Sequence, residues 1–397
     1  MSNRSRNRSL KLPEPPAELA DLSAQLCTTI VNAIEADGPM SFQRYMAMAL
    51  YQPGLGYYVN GLHKFGAAGD FVTAPEHGRL FALAIARQLD PLASAIGPDW
   101  IALELGPGSG ALARDALSQM RNPPARYLLL EPSAPLRDVQ RETLSALPAD
   151  LLQRVEWIAA PPAERFDGAL IANEVIDALP VTRFRLAETG IEEARVKVEA
   201  GRLAWEYAPA HGRVLGAVEH VLDDLPERPG VGYTSEICVD LREWLDTVTT
   251  PLNRGLALMI DYGYPRREFY HPDRNDGTLV CHFRHRAHFD PFAWPGLTDL
   301  SAFVDFTAVA EAARACGLEI AGFTSQAGFV LGSGVADQLD QTIDARDRMA
   351  LSGELKRLVL PGEMGEKFKV MALVRDMNDG PDDSFGAFAL SDQVDRL

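Results

Sequence analysis

Residues 104–110 read Glu-Leu-Gly-Pro-Gly-Ser-Gly and lie between two segments of different character. The apolar run Ile101–Leu105 predicts a strand, and the segment from Ala111 to Met120 predicts a helix that stops before Pro123. A strand, a glycine-rich turn and a helix in this order expose backbone N–H groups at the helix N-terminus. Glycine is needed there because a ligand must approach the main chain and φ can be positive. We therefore expect a cofactor site at this turn.

The chain on both sides of the turn alternates between apolar segments and helical patterns. A helix is predicted over 306–316, ending at Gly317. Continuous apolar strands separated by helices are typical of a parallel sheet covered on both faces, so the predicted fold class is α/β and Rossmann-like. The further predicted strands are 127–131, 155–158, 168–172, 255–261, 318–323 and 368–375.

Proline and apolar spacing divide the rest of the chain. Pro13, Pro15 and Pro16 prevent a long helix near the start. Apolar residues at four-residue spacing from Leu22 then predict two short helices with a break at 37–39. The predicted organisation is a disordered N-terminus at 1–20, an N-terminal helical cap at 21–98, a cofactor-binding domain at 99–376 with an insertion at about 181–250, and a mobile tail at 377–397.

Composition excludes several classes of partner. No apolar run is long enough to cross a bilayer, so a soluble protein without a membrane span is predicted. The net charge of −17 opposes contact with phosphate backbones, which argues against nucleic acid and favours cationic substrates. The four cysteines are widely spaced, which fits a reducing compartment. We predict a cytoplasmic location; the oligomeric state does not follow from the sequence.

The glycine turn alone admits two kinds of cofactor. Gly106, Gly108 and Ala111 also satisfy the G-x-G-x-x-A pattern of nicotinamide and flavin sites. Glu104 separates the alternatives, because its carboxylate would repel a pyrophosphate by about 4 kcal/mol per unit-charge pair at 4 Å and an effective dielectric of 20. S-adenosylmethionine (SAM) has no phosphate and carries a sulfonium and an ammonium group. SAM is therefore the predicted cofactor, with Glu104, Gly106, Gly108 and Gly110 around it.

Two other places contribute predicted cofactor ligands. Glu131 ends the next strand, where an acid can accept hydrogen bonds from both ribose hydroxyls; this suits NAD equally well. The segment around Asp70 and Thr73 precedes a predicted helix that runs to about Leu89. Thr73 and Glu76 have the spacing of a capping box, so capping alone is the alternative to a cofactor contact.

Several motifs in the same order resemble the MidA-like family of methyltransferases, which includes the mitochondrial complex I assembly methyltransferase. They span about residues 38–375. The matching stretches are Tyr45-Met46, Tyr51-x-Pro53-x-x-Gly56-Tyr57-Tyr58, Gly69-Asp70-Phe71-Val72-Thr73-Ala74-Pro75-Glu76, 104–110, Glu131-Pro132-Ser133, Asn173-Glu174-Val175-Ile176-Asp177-Ala178-Leu179-Pro180, Asp261-Tyr262-Gly263, Val304-Asp305-Phe306 and Met364-Gly365-x-x-Phe368-Lys369-Val370.

The resemblance implies a seven-stranded SAM-dependent fold with an N-terminal helical cap, and it places Asp70 and Thr73 over the cofactor. For mitochondrial members it implies symmetric dimethylation of arginine on a subunit of respiratory complex I. Phe303 stands where His is expected in the family stretch, and Ser301 where Thr is expected. We therefore assign no catalytic role to residues 299–306.

The segment after the fourth strand supplies the predicted catalytic residues. Asn173, Glu174 and Asp177 follow that strand at the carboxyl edge of the sheet, where ligands bind in such folds. If a helix begins here, Glu174 and Asp177 share one face and can clamp a guanidinium acceptor, while Asn173 borders the cofactor. The alternative is an acid pair that only complements a helix dipole. Asp261 ends a neighbouring strand and either lines the acceptor pocket or belongs to a turn.

No metal site is predicted. The spacing of Cys281, His282, His285 and His288 matches no recognised zinc pattern. The leading hypothesis is an enzyme that transfers methyl from SAM to an arginine ω-nitrogen of a protein substrate. The alternatives are a SAM-dependent small-molecule methyltransferase, a SAM-binding assembly factor that acts by binding, and a nicotinamide oxidoreductase.

Overall fold

The computed structural model describes residues 12–61, 78–342, 344–377 and 386–397. The predicted ligands Asp70 and Thr73, and the capping box with Glu76, lie outside the described residues. The helix predicted to end near Leu89 is described from Leu80 and does end there.

The main sheet contains the seven predicted strands. Numbered in chain order, the seven strands are β2 (Ile101–Leu105), β3 (Arg126–Leu130), β4 (Val155–Ile158), β5 (Phe166–Asn173), β10 (Leu252–Tyr264), β15 (Glu319–Ser325) and β16 (Phe368–Arg375). Their order in the sheet is β4-β3-β2-β5-β10-β16-β15, and a short strand, β14 (Val304–Asp305), pairs with the end of β10.

The prediction of a parallel sheet is wrong for one strand. β16 runs antiparallel to both of its neighbours, β10 and β15. The other described pairs, β10–β5, β5–β2, β2–β3 and β3–β4, are parallel. A strand that is buried on both faces has the same continuous apolar pattern in either direction, so its sequence does not reveal its direction.

Helices cover both faces of this sheet, as predicted. One core contains apolar residues of α3, α5, α12 and α14, and the core on the opposite face contains those of α9 and α11. None of the helices in the described ranges combines the length and apolar character needed to span a bilayer. The helices are α1 (Ala17–Asp37), α2 (Phe42–Tyr51), α3 (Leu80–Leu89), α4 (Leu92–Ile96), α5 (Ala111–Gln119), α6 (Ala134–Leu144), α7 (Ala149–Leu152), α8 (Gly212–Asp224), α9 (Leu241–Thr249), α10 (Arg266–Phe269), α11 (Phe306–Ala315), α12 (Gln326–Gly332), α13 (Asp337–Gln341) and α14 (Ala345–Val359).

A second sheet joins the predicted cap to the predicted insertion. Its first strand, from the cap, pairs antiparallel with β7 of the insertion, and the rings of Phe42 and Trp205 meet at 4.9 Å between centroids. A third, small sheet follows β10. The strands of the two sheets are β1 (Met40–Ser41), β6 (Thr182–Ala187), β7 (Gly190–Glu199), β8 (Arg202–Pro209) and β9 (Thr234–Ile237), then β11 (Val280–Phe283), β12 (Arg286–His288) and β13 (Asp299–Ser301). The division into cap and insertion stays a prediction.

The structure describes ordered residues within both predicted flexible ends. Helix α1 begins at Ala17, inside the predicted disordered stretch 1–20, because Pro16 occupies the N-cap position and strong helix formers follow it. The predicted mobile tail, 377–397, is also partly ordered. Phe388 is buried and its ring lies 5.6 Å from that of Phe329. The acidic composition of the tail concealed this apolar contact with the core.

Candidate active site

The glycine turn has the backbone geometry that the sequence predicts. Gly106 and Gly108 have φ of +55° and Gly110 has φ of +84°, values that strain any residue with a Cβ. Gly110 is the N-cap of α5, so the turn passes directly into that helix. The N–H of Gly106 donates to the carbonyl oxygen of Leu130 at 3.2 Å, which ties the turn to the end of β3.

Glu104 lies at the end of β2 beneath this turn. Its side chain is 2% exposed, and the Tyr127 hydroxyl donates to Oε2 at 2.7 Å. Burial raises the pKa of Glu104 to about 7, while the Tyr127 hydrogen bond opposes this shift. A cation beside the carboxylate would favour its ionised form. The site therefore binds a positively charged group better than a phosphate.

Glu131 is held just beyond the end of β3. The N–H of Ser133 donates to its Oε1 at 2.8 Å, and the amide of Gln140 donates to its Oε2 at 3.3 Å. The same Gln140 nitrogen donates to the carbonyl oxygen of Gly108 at 2.9 Å. Gln140 is a residue that the sequence reasoning missed, because its partners become neighbours only after α6 packs against the turn.

Glu104, Gly106, Gly108 and Glu131 border a cavity of about 310 Å³. Tyr51, Tyr57 and Tyr58 of the N-terminal region form another part of its wall. The described residues that line the cavity include no Lys, Arg or His. They do include five carboxylate side chains, namely Glu104, Glu131, Glu174, Asp177 and Asp299.

No helix begins near Glu174, so the condition under which Glu174 and Asp177 would share one helix face is not met. Residues 174–178 form an irregular turn, and Glu174 has φ of +54°, which an ordinary residue rarely adopts. The buried carboxylate of Asp261 in β10 accepts from the N–H groups of Ile176 at 2.9 Å and Asp177 at 3.1 Å, which ties this turn to the strand. Glu174 and Asp177 nevertheless both line the cavity.

Asp261 itself lies within β10 and is not among the described residues that line the cavity. It is fully buried, and its Oδ1 also accepts from the N–H of Tyr262 at 2.8 Å. Burial raises the pKa of Asp261 to about 8, and the negative charge of Glu174 adds to the shift. Asp261 is therefore a strand residue, which matches neither interpretation left open by the sequence, and its carboxylate holds the neighbouring turn at 174–178.

Asp177 and Asp299 both line the cavity. Burial, together with the charges of Asp261 and Asp299, raises the pKa of Asp177 well above its usual value. Asp299 is 2% exposed and accepts from the Tyr58 hydroxyl at 2.9 Å and the Ser301 hydroxyl at 3.1 Å. Sequence reasoning missed Asp299 because the departure at Phe303 was taken to discount the whole stretch.

Phe303 does not reach this cavity. Its ring packs against those of Tyr262 and Tyr264, at 5.9 and 5.8 Å between centroids. Phe303, which replaces the expected His, therefore belongs to an aromatic cluster outside the cavity wall. Asp299, the first residue of the same stretch, does line the cavity.

The Cys281 to His288 segment forms the hairpin β11–β12, in which Cys281 pairs with His288. Burial lowers the pKa of His282 to about 4. Over the described ranges, no group of three His, Cys, Asp or Glu side chains is arranged to hold a metal. The predicted absence of a metal stays a prediction.

The fold and the site together define a class of enzyme. A glycine turn after the first strand of the sheet, an acid after the second and a cavity rich in carboxylates fit SAM, because carboxylates attract the positive charges of its sulfonium and ammonium groups. The chain is a SAM-dependent methyltransferase.

The family follows from comparison. Residues 81–324 match the family described as putative S-adenosyl-L-methionine-dependent methyltransferase, and the chain belongs to this family. A crystal structure from Burkholderia thailandensis with bound S-adenosyl-homocysteine is 37% identical to the chain, covers 98% of it and 100% of its own length, and has a TM-score of 0.89. The predictions of a SAM-dependent fold and of SAM rather than a dinucleotide are confirmed.

More distant relatives carry a more specific name. The protein arginine methyltransferase NDUFAF7, mitochondrial, of Danio rerio is 26% identical over 89% of this chain and 88% of its own length. The protein of the same name from Homo sapiens is 26% identical over 87% of this chain and 82% of its own length.

Proposed function

We propose that the enzyme transfers methyl from SAM to an arginine ω-nitrogen on a protein substrate. The observation that carries the proposal is the acceptor end of the cavity, where Glu174, Asp177 and Asp299 converge. A guanidinium is a planar cation that pairs well with carboxylates. The names of the curated relatives, protein arginine methyltransferase, support the same acceptor.

We assign the cofactor to the other end of the cavity. Glu104 and Asn173 bind the cationic groups of SAM, and Glu131 binds the ribose hydroxyls. The turn from Gly106 through Gly108 to Gly110 lets the cofactor approach the protein main chain closely. Asp70 and Thr73 remain proposed cofactor contacts.

Asn173 supports this assignment independently. Its Nδ2 donates to Oε1 of Glu174 at 3.2 Å, which fixes the orientation of the amide. Its Oδ1 is buried and has no hydrogen-bond partner within the described residues. An unsatisfied buried acceptor beside a cavity fits a ligand that brings an N–H donor, as the ammonium group of SAM does.

The acceptor residues position one guanidinium nitrogen against the methyl group that SAM supplies. The nitrogen forms the new C–N bond as the C–S bond breaks, and the sulfur leaves as neutral thioether. Glu174, Asp177 and Asp299 localise the positive charge on the other two nitrogens. The nitrogen that is methylated loses a proton, and the raised pKa of Asp177 makes its carboxylate a suitable acceptor for that proton.

Transfer of isotope from methyl-labelled SAM tests the acceptor. The enzyme is incubated with an extract of cells that lack it, and labelled proteins are hydrolysed and analysed by mass spectrometry. We expect label in ω-N-methylarginine, and far less of it with the variant Glu174→Gln. Label that enters only small metabolites, or lysine, would contradict the arginine proposal.

We also propose that the enzyme acts in the cytoplasm, on a protein and not on nucleic acid. The curated relatives named above are mitochondrial by name. Fractionation of cells that produce the full chain with a C-terminal tag tests this: we expect the tag in the cytosolic fraction, and recovery with an organelle would contradict it.

A further inference from the structure

A buried glutamine links the two halves of the cofactor site. Gln140 lies on α6, one turn after Leu136, and is fully buried. Leu136 lines the cavity, whereas Gln140 lies behind it against the glycine turn. The packing is close: a Cβ added to Gly110 would lie 3.4 Å from the Cα of Gln140.

Trp157 of β4 fixes the orientation of the Gln140 amide. The indole Nε1 donates to Gln140 Oε1 at 3.0 Å, and an indole N–H can only donate. The amide nitrogen must therefore point the other way, toward the carbonyl oxygen of Gly108 and the carboxylate of Glu131. A single side chain thus sets the position of the glycine turn relative to the acid.

The consequence for Glu131 is a defined orientation. Gln140 donates to its Oε2 and the Ser133 N–H donates to its Oε1. Glu131 also lines the cavity, so the carboxylate that these two donors orient borders the space that a ligand hydroxyl would occupy.

We propose that Gln140 is a positioning residue for the cofactor, which acts through Glu131 and sets the preference of the site for an intact ribose diol. The proposal rests on the ribose role assigned to Glu131. It predicts a specific defect: loss of the Gln140 amide weakens the contribution of the ribose hydroxyls to binding, and leaves the contribution of the remaining groups nearly intact.

The test compares S-adenosylhomocysteine with its 2′-deoxy analogue by calorimetry on the full chain. The wild-type enzyme is expected to bind the intact compound about 10- to 100-fold more tightly, the range for a hydrogen bond to a charged group. In Gln140→Met this preference is expected to fall below about 3-fold, because the intact compound binds more weakly and the analogue is little affected. The double variant Gln140→Met/Glu131→Gln is expected to be no worse than Glu131→Gln alone.

Gln326 provides a matched control. It is also fully buried, and its Nε2 donates to the carbonyl oxygen of Leu358 at 3.1 Å, but it does not line the cavity. Gln326→Met is expected to keep the wild-type preference even if its melting temperature falls. If Gln140→Met does not fold, Trp157→Phe is the test variant. It removes the indole N–H that orients the Gln140 amide but keeps the amide itself, and it is expected to lower the preference for the intact compound about 3-fold.

The possible failures are distinguishable. Equal weakening of both ligands by Gln140→Met, or an unchanged preference in the variant that folds, would overturn the positioning role. A wild-type enzyme that binds both compounds equally would instead refute the ribose role of Glu131, and the positioning proposal with it. Neither result would affect the arginine acceptor, which is tested separately by label transfer.

Discussion

Replacement of Glu174 by Gln separates acceptor binding from cofactor binding. The change removes one negative charge from the cavity wall and keeps the size of the side chain. A unit-charge pair at 4 Å contributes about 4 kcal/mol at an effective dielectric of 20. Because Glu174 is half-buried, solvent screening lowers this to about 2 kcal/mol, which corresponds to roughly 30-fold in kcat/KM for the acceptor. The affinity for SAM is expected to change less than about 3-fold.

The assay combines calorimetry with SAM and label transfer to the acceptor. Glu206→Gln is a suitable control, since Glu206 is a half-buried acid on β8 that does not line the cavity. It should leave both quantities unchanged. A large loss of SAM affinity in Glu174→Gln would move Glu174 to the cofactor end of the site, and unchanged turnover would refute its acceptor role.

Glu104, Asp261 and Phe388 allow three further predictions. Burial raises the pKa of Glu104 to about 7, so binding of cationic SAM should release protons, and the affinity for SAM should fall as pH decreases below about 7. Glu104→Gln should abolish this pH dependence. A wild-type affinity for SAM that does not change with pH would contradict the prediction. Asp261→Ala leaves three backbone N–H groups without their acceptor and should lower the free energy of unfolding in urea by at least about 3 kcal/mol, so a loss under about 1 kcal/mol would count against its role in the turn. Phe388→Ala should lower the same quantity by about 3–5 kcal/mol, whereas a surface-like effect near zero would show that the tail does not contribute to the core.

The strands of the main sheet were largely predictable because each is a short apolar run with turn residues on both sides. β2, β4 and β16 have the predicted bounds. The direction of β16 was not predictable, since a doubly buried strand carries no directional signal. The pairing of β1 with β7 was also not predictable. Two residues of the cap pair with a strand about 150 positions later, and local sequence patterns do not encode contacts over such a separation.

The site divides in the same way. The glycine turn and Glu131 are local features of a strand, a turn and the next strand, so their spacing predicts them. The loop at Glu174 was predicted in place but not in shape, and the carboxylate of Asp261 ties it to another strand. Asp299 lines the cavity and Gln140 supports its wall only because of tertiary packing, and a single sequence offers no sign of that packing.

A crystal structure with S-adenosylhomocysteine and an arginine-containing acceptor peptide tests the central claim most directly. It should place the guanidinium within hydrogen-bond distance of Glu174, Asp177 or Asp299, with one nitrogen facing the sulfur of the cofactor. A homocysteine carboxylate seated among these acids, or a guanidinium bound elsewhere, would contradict the account.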